Sequence, residues 1–494
     1  MWTIRYQGRM SPTSDVREPH RRRRARSSPR PLRRLRGAAV LGVLVLLAAC
    51  AGTNGSGSSS GSGAGSKPLP GITAGTVKVG YTIVDTGALE SQLGFHNAEQ
   101  GGVTGLTKVI DALVAYVNAH GGMGGRQVSA DIESYQATTD SPEQTTALCS
   151  SFTQDNRVFA AVLDGALQNN ALPCYRAANT LIVDETAIAH DTAQFQQYSP
   201  YLWSPTHPEY GAFIRAQLQV LQQAGFFAGN TGVQLIPDDS EVPRRVTTSI
   251  VTPTLQSYGV TKVGVNYIDG TTIGSLGQTS SAAMASGKQL GYNRVIVVGG
   301  ARILGVALAD QNASTYNSTW SISSWDLPYF MQTNTATEEP ARLTGMVGLG
   351  YAPTYDVGPD AGIPFPDPAR PAEGVCKSIV DAAGATPGPG QRPNYQKAFQ
   401  YCDATFFLKD TLDRAAHGAT LTAQQFGAAV AQIGSAYSSA VGFASSYGPN
   451  QYAATTAARE LVFESSCRCF QYHGANIPLG SATSAAPLPT ITVP

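Results

Sequence analysis

From Thr76 the chain alternates: Val77, Val79, Tyr81 and Ile83 are apolar, while Lys78, Gly80 and Thr82 between them are polar or small, the two-residue period of a strand. The period then lengthens. Leu106, Val109, Ile110, Leu113 and Val117 recur at three- and four-residue spacing, which predicts a helix with Thr104 as its N-cap and Gly121-Gly122 as its stop. Val128, Ala130 and Ile132 predict a second strand, and Ser141-Pro142-Glu143-Gln144 opens a second helix with capping-box spacing and proline at its first position. Further strands are expected near residues 158–163, 181–183, 233–236, 262–267 and 294–298, with helix-length segments between them, residues 209–224 among these. A Pro- and Gly-rich stretch over residues 352–371 breaks the pattern. Two helices follow, one over residues 372–383 and a longer one carrying Tyr395, Phe399, Cys402, Phe406 and Leu412. Strands alternating with helices imply parallel sheets covered on both faces, with ligand sites at the carboxyl ends of the strands. A length of 494 residues fits two such sheets. The expected fold class is α/β, with two doubly wound parallel-sheet lobes.

Composition agrees with an exported globular chain. Hydrophobic residues make up 42% and charged residues only 14%, against about 25% in an average soluble domain. The formal net charge of zero conceals an asymmetry: twelve of the 34 basic residues lie between Arg5 and Arg36, with only Asp15 and Glu18 to offset them. From Cys50 onward 22 basic residues face 32 acidic ones, so the body is acidic and a nucleic-acid partner is not expected, because such binding rests on Lys and Arg neutralising phosphates.

The basic segment is followed by residues 37–49, which carry no charge and include Val40-Leu41-Gly42-Val43-Leu44-Val45-Leu46-Leu47. That is short of the roughly 20 residues a membrane-spanning helix needs, and it reads as the apolar part of a signal peptide. It ends in Leu47-Ala48-Ala49-Cys50, which resembles the bacterial lipobox. The resemblance implies cleavage before Cys50, diacylglycerol (palmitate-type) lipidation of that cysteine, and a protein anchored to the outer face of the cell membrane. Residues 51–66 are almost wholly Gly, Ser and Ala, too polar to bury a core, and are expected to be a tether.

The order of elements, the opening strand Val77-Lys78-Val79-Gly80, the helix end Val117-Asn118-Ala119-His120-Gly121-Gly122-Met123-Gly124-Gly125, the Cys149 and Cys174 pair and the tail Tyr447-Gly448-Pro449 with Cys467-Arg468-Cys469-Phe470 are similar to the branched-chain amino-acid-binding family of type I periplasmic binding proteins, its actinobacterial members for the tail. The resemblance covers nearly the whole body. It implies two lobes joined by three crossovers: residues 1–49 signal peptide, 50–75 lipidated cysteine and tether, 76–203 with 334–440 lobe one, and 204–333 with 441–494 lobe two. It further implies a small-molecule ligand in the cleft between lobes, hinge closure around it, and the permease of an ABC importer as partner.

Beyond Cys50, the six cysteines Cys149, Cys174, Cys376, Cys402, Cys467 and Cys469 argue for disulfides in an exported chain. The resemblance pairs Cys149 with Cys174. Cys376 with Cys402 is the next plausible pair, and Cys467 and Cys469 are left either to each other or to a crosswise pairing with Cys376 and Cys402.

No phosphate loop, dinucleotide fingerprint, paired-histidine metal helix or spaced nucleophile and base is found, so neither cofactor, metal nor enzymatic activity is expected. A ligand-sensing lipoprotein and, behind it, a secreted α/β hydrolase are the alternatives to an importer's binding protein. By alignment with the family the pocket candidates are Asp85 and Thr86, Gly165, Ala166 and Gln168, then Asp184, Glu185 and Thr186 on lobe one. Lobe two adds Asp238, Asp239 and Ser240, Ala301 and Arg302, and Trp325 and Asp326. Aspartate and serine after strands also serve as helix caps. The acids among these positions outnumber Arg302, so the cleft is expected to be electronegative and to favour a cationic or hydroxyl-rich ligand over a plain carboxylate.

Overall fold

The computed structural model describes residues 66–87, 101–165, 170–299, 303–336, 340–385, 390–415 and 420–480, all within one unit spanning Ser60–Pro494. The signal peptide, Cys50, most of the tether, Ala166, Gln168, Ala301 and Arg302 lie outside the described residues. Among those described, no helix is long and apolar enough to cross a membrane.

Two sheets carry the fold. The first has the order β2-β1-β3-β4-β5, from Gln127–Gln136, Thr76–Asp85, Ala160–Asp164, Leu181–Glu185 and Leu202–Trp203, and all its pairs are parallel. In β1 the side chains of Val77, Val79, Tyr81 and Ile83 are fully buried. The intervening phase is covered as well: Thr82 is buried, and a Cβ on Gly80 would lie 2.7 Å from the Phe152 ring. Burial on both faces is what a parallel sheet flanked by helices requires.

The second sheet runs β12-β11-β10-β9-β8-β6-β7. Its parallel part is built from β6 (Val233–Pro237), β7 (Val263–Val265), β8 (Arg294–Val298), β9 (Thr319–Ser323) and β10 (Val347–Gly350), and an antiparallel hairpin of β11 (Ala457–Glu464) and β12 (Cys469–Pro478) extends it. Read from β7 to β10, this sheet repeats the order of the first. Each has one place where the direction of winding reverses, between β1 and β3 and between β6 and β8. Crevices at the carboxyl ends of such strands receive ligands.

The chain crosses between the sheets three times: after β5, after β10 and before β11. The helices Pro371–Ala382, Gln396–Arg414 and Ala423–Ile433 return to the first sheet, where the first two pack against helix Gly102–Ala119. β10 corrects one expected boundary. It pairs with β9 and β11, so the return to the first lobe follows Gly350 and does not begin near residue 334. The run Val347-Gly348-Leu349-Gly350 is too short and too rich in glycine to show a strand period, and the Pro- and Gly-rich stretch hides it further.

Local chemistry explains the element ends. Ser141 caps its helix by accepting the Gln144 N–H at 3.3 Å, with Pro142 at the first position. Asn118 ties the end of its helix to β2 through two bonds with Val128, at 2.7 and 3.0 Å. Thr104 is not the N-cap: that helix begins at Gly102, after Gly101 in a left-handed conformation.

Three disulfides form: Cys149–Cys174, Cys376–Cys402 and Cys467–Cys469, with Cα separations of 6.4, 6.0 and 5.2 Å. The first two join neighbouring helices. The third joins Cys467 in the β11–β12 turn to Cys469, the first residue of β12, which removes the crosswise alternative.

Candidate functional site

A cavity of about 220 Å³ opens at the carboxyl ends of both sheets. It has room for several water molecules or a compact organic solute. Val84, Thr86, Gly165 and Glu185 reach it from the first sheet, Ser324, Trp325 and Tyr351 from the second, and Leu106, Ile273, Leu276, Phe330 and Met331 supply apolar wall from flanking helices and loops.

Trp325 is held by aromatic edges. Its ring centroid lies 4.7 Å from Phe213, 5.0 Å from Tyr210 and 5.0 Å from Tyr351. Such contacts fix the indole in one orientation. Its Nε1 is buried with no partner among the described residues. Beside it, His207 Nδ1 lies 2.6 Å from the Tyr351 hydroxyl, and burial lowers the histidine pKa to about 4, so the imidazole is neutral at physiological pH.

Glu185 ends β4 and is completely buried. Thr206 donates its hydroxyl to Oε2, whereas Oε1 has no partner among the described residues. Desolvation drives this carboxyl well above the usual range; the Thr206 bond opposes the shift and the charges of Asp403, Asp184 and Asp164 add to it. The protonated acid is favoured. Helix Gln396–Arg414 contributes Lys397, whose ammonium lies 2.6 Å from Asp164, and Gln400, whose amide donates to the Glu185 carbonyl at 2.8 Å. Tyr355 donates its hydroxyl to Gln400.

Of the positions nominated from sequence and described here, Thr86, Gly165, Glu185 and Trp325 come together at the cavity wall. Gly165 is needed as glycine: its φ is +73°, and a Cβ would sit 2.1 Å from Val84 Cγ2. The other nominated residues face local partners. Asp85 accepts from the Gly87 N–H at 3.0 Å and from Gln136 at 2.6 Å. Asp184 accepts from the N–H and hydroxyl of Thr186, at 2.8 and 2.6 Å, and meets His190 at 2.7 Å. Asp239 pairs with Arg244, and Ser240 occupies the N-cap position of helix Glu241–Val246. Asp326 accepts from the Ser323 N–H and hydroxyl at 2.8 and 2.6 Å.

Among the described residues, the acids nominated for the cleft turn mostly to local partners. Of these acids only Glu185 reaches the wall, and Lys397 stands near it. Aspartate is short, and after a strand its carboxylate finds the free N–H groups of the next turn before it can reach a cleft. The residues missed were His207, Tyr351, Tyr355, Lys397 and Gln400. The clustered aromatics of Tyr351-Ala352-Pro353-Thr354-Tyr355 were the available signal, set against a stretch that reads only as interruption.

No protein-family model and no curated protein matches the chain. Solved structures do. A type 1 periplasmic binding protein from Bordetella pertussis Tohama I is 13% identical with a TM-score of 0.57, covering 81% of this chain and 100% of its own. A solute-binding protein of an ABC transporter from R. palustris, in complex with 4-hydroxybenzoate, is 15% identical with a TM-score of 0.56, covering 81% and 96%. The branched-chain amino-acid transporter substrate-binding protein of Streptococcus pneumoniae, in complex with isoleucine, is 12% identical with a TM-score of 0.51, covering 78% and 96%. Together with two parallel-sheet lobes, three crossovers and a cavity at the strand ends, these likenesses show that the chain has the fold of the type I periplasmic binding proteins.

Proposed function

We propose that this chain is an extracytoplasmic solute-binding lipoprotein that captures a small molecule between its lobes for an ABC importer. The observation that carries the reading is the cavity walled by both sheets, since a ligand held there contacts both lobes and favours their closed arrangement. Solved structures of the same fold that hold 4-hydroxybenzoate or isoleucine support it. Thr86, Gly165, Glu185 and Trp325 are the ligand contacts we retain, joined by His207, Tyr351 and Lys397. Cys50 carries the lipid, and the permease is the partner that reads the closed form. The aromatic and aliphatic wall favours a solute with a compact apolar body, in place of the cation expected from sequence.

Thermal melting of the purified protein against amino acids, aromatic acids, amides, polyamines and sugars tests the binding, because a ligand held only by the folded state raises the melting temperature. One class should raise it, and deletion of the protein should abolish uptake of that solute. No stabilising ligand in any class, with uptake intact, would overturn the reading. For the anchor, Cys50→Ser should abolish incorporation of labelled fatty acid; a wild type that takes up no label refutes lipidation.

A further inference from the structure

The three disulfides differ in what they do for the fold. Cys149–Cys174 and Cys376–Cys402 close separations of 25 and 26 residues, and Cys149, Cys376 and Cys402 are at most 1% exposed. Cys467–Cys469 spans a separation of two, from the β11–β12 turn to the first residue of β12. There the ladder already pairs Glu464 with Cys469, so the turn is closed without the bridge. Stabilisation by a disulfide grows with the loop it closes, so the tip bridge adds least to stability. It is also the most accessible. Residues 465–468, Cys467 among them, are exposed, and Cys469 is half-buried.

The surroundings suit sulfur as a leaving group. The side-chain amide of Gln471 donates toward both sulfurs, at 3.7 Å from Cys467 Sγ and 3.5 Å from Cys469 Sγ. Arg468 sits between the two cysteines with φ at +55°, a conformation disfavoured for a residue with a side chain. An N–H donor stabilises a thiolate, and low thiolate pKa speeds departure.

We propose that Cys467–Cys469 is a thiol–disulfide exchange site whose substrate is a small thiol. The incoming thiolate attacks Cys467 Sγ, the Sγ–Sγ bond breaks, and its electron pair passes to Cys469 Sγ, which leaves beside the Gln471 amide and takes a proton from solvent. The product is a mixed disulfide on Cys467. A second thiol attacks the outer sulfur, releasing a small disulfide; two thiols have been oxidised and the bridge reduced by two electrons. This site stands apart from the cavity and does not depend on the solute-binding reading.

The test is to treat the intact, oxidised protein with glutathione, quench with iodoacetamide, and map peptides without reduction. Glutathione or alkyl label should appear on Cys467 and Cys469 at least about tenfold faster than on either other pair, while the melting temperature stays unchanged. Gln471→Ala should slow the exchange, and a Cys467→Ser, Cys469→Ser double variant should fold and take no label in this peptide. Exchange no faster than at the other two bridges, free thiols at these positions in the untreated protein, or a fall in melting temperature on tip reduction as large as that from losing Cys149–Cys174 would each overturn the proposal.

Discussion

Asp356 lies on the second crossover, where its Oδ2 accepts from the Ser324 hydroxyl at 2.6 Å, the Ala352 N–H at 3.1 Å and the Tyr472 hydroxyl. Oδ1 is buried with no partner among the described residues. One oxygen thus takes three donors and the other none, and desolvation raises the carboxyl from 3.8 to about 7 against the pull of those donors. The native chain then holds this proton up to about pH 7, while the unfolded chain releases it near pH 4. Between those values the native state binds more protons, so stability from this group is fully present below pH 4, falls as pH rises, and is lost above pH 7. A shift of about three units at 1.36 kcal/mol each sets the loss at about 4 kcal/mol at most. Asp356→Asn removes the titration with little change of shape: the amide oxygen can take the three donors and the nitrogen the empty position. Urea unfolding of both proteins at pH 5 and pH 8 should show the variant gaining on the wild type by about 2–4 kcal/mol between the two pH values. Comparing that gap, and not absolute stabilities, cancels Asp403, also raised to about 7, and His207, lowered to about 4. A gap of the same size at both pH values would refute the reasoning.

Replacing both Cys149 and Cys174 by serine should cost about 3.5 kcal/mol in urea unfolding, the loop-entropy value for the separation of 25; an unchanged midpoint would show that the bridge restrains nothing. Gly165→Ala should destabilise by about 1–3 kcal/mol and weaken solute binding in calorimetry, because its Cβ must push Val84 while the backbone stays left-handed; equal binding and stability would remove this turn from the site.

The strands and helices that were legible in the sequence are those whose burial follows a clean period. β1 and helix Gly102–Ala119 show it over many residues, and Ser141-Pro142 marks a helix start that the structure keeps. β10 and the β11–β12 hairpin did not show it. One is four residues long with two glycines, and in the other β11 is buried or half-buried throughout while β12 is half-buried or exposed at all but two positions, so neither strand alternates cleanly. At the site the strand ends were legible as places, through Gly165, Glu185 and Trp325, but the direction of each side chain was not. Asp184 and Glu185 are adjacent, and the pleat sends them apart: one meets Thr186 and His190, the other the cavity. Lys397 and Gln400 were invisible for a different reason. They sit one helical turn apart on a helix that reads as core, and only the tertiary packing of that helix against β3 and β4 brings them to the cleft.

The three crossovers also set the order in which this chain completes itself. β1 to β5 emerge first, yet helices Pro371–Ala382, Gln396–Arg414 and Ala423–Ile433, which finish the covering of that sheet, come only after every parallel strand of the second. The second sheet in turn waits for β11 and β12, the last described elements. Neither half can bury its core while the ribosome is still adding the other, so apolar strand faces stay open until nearly the whole polypeptide has appeared, and the native state is reached late, through contacts distant in sequence.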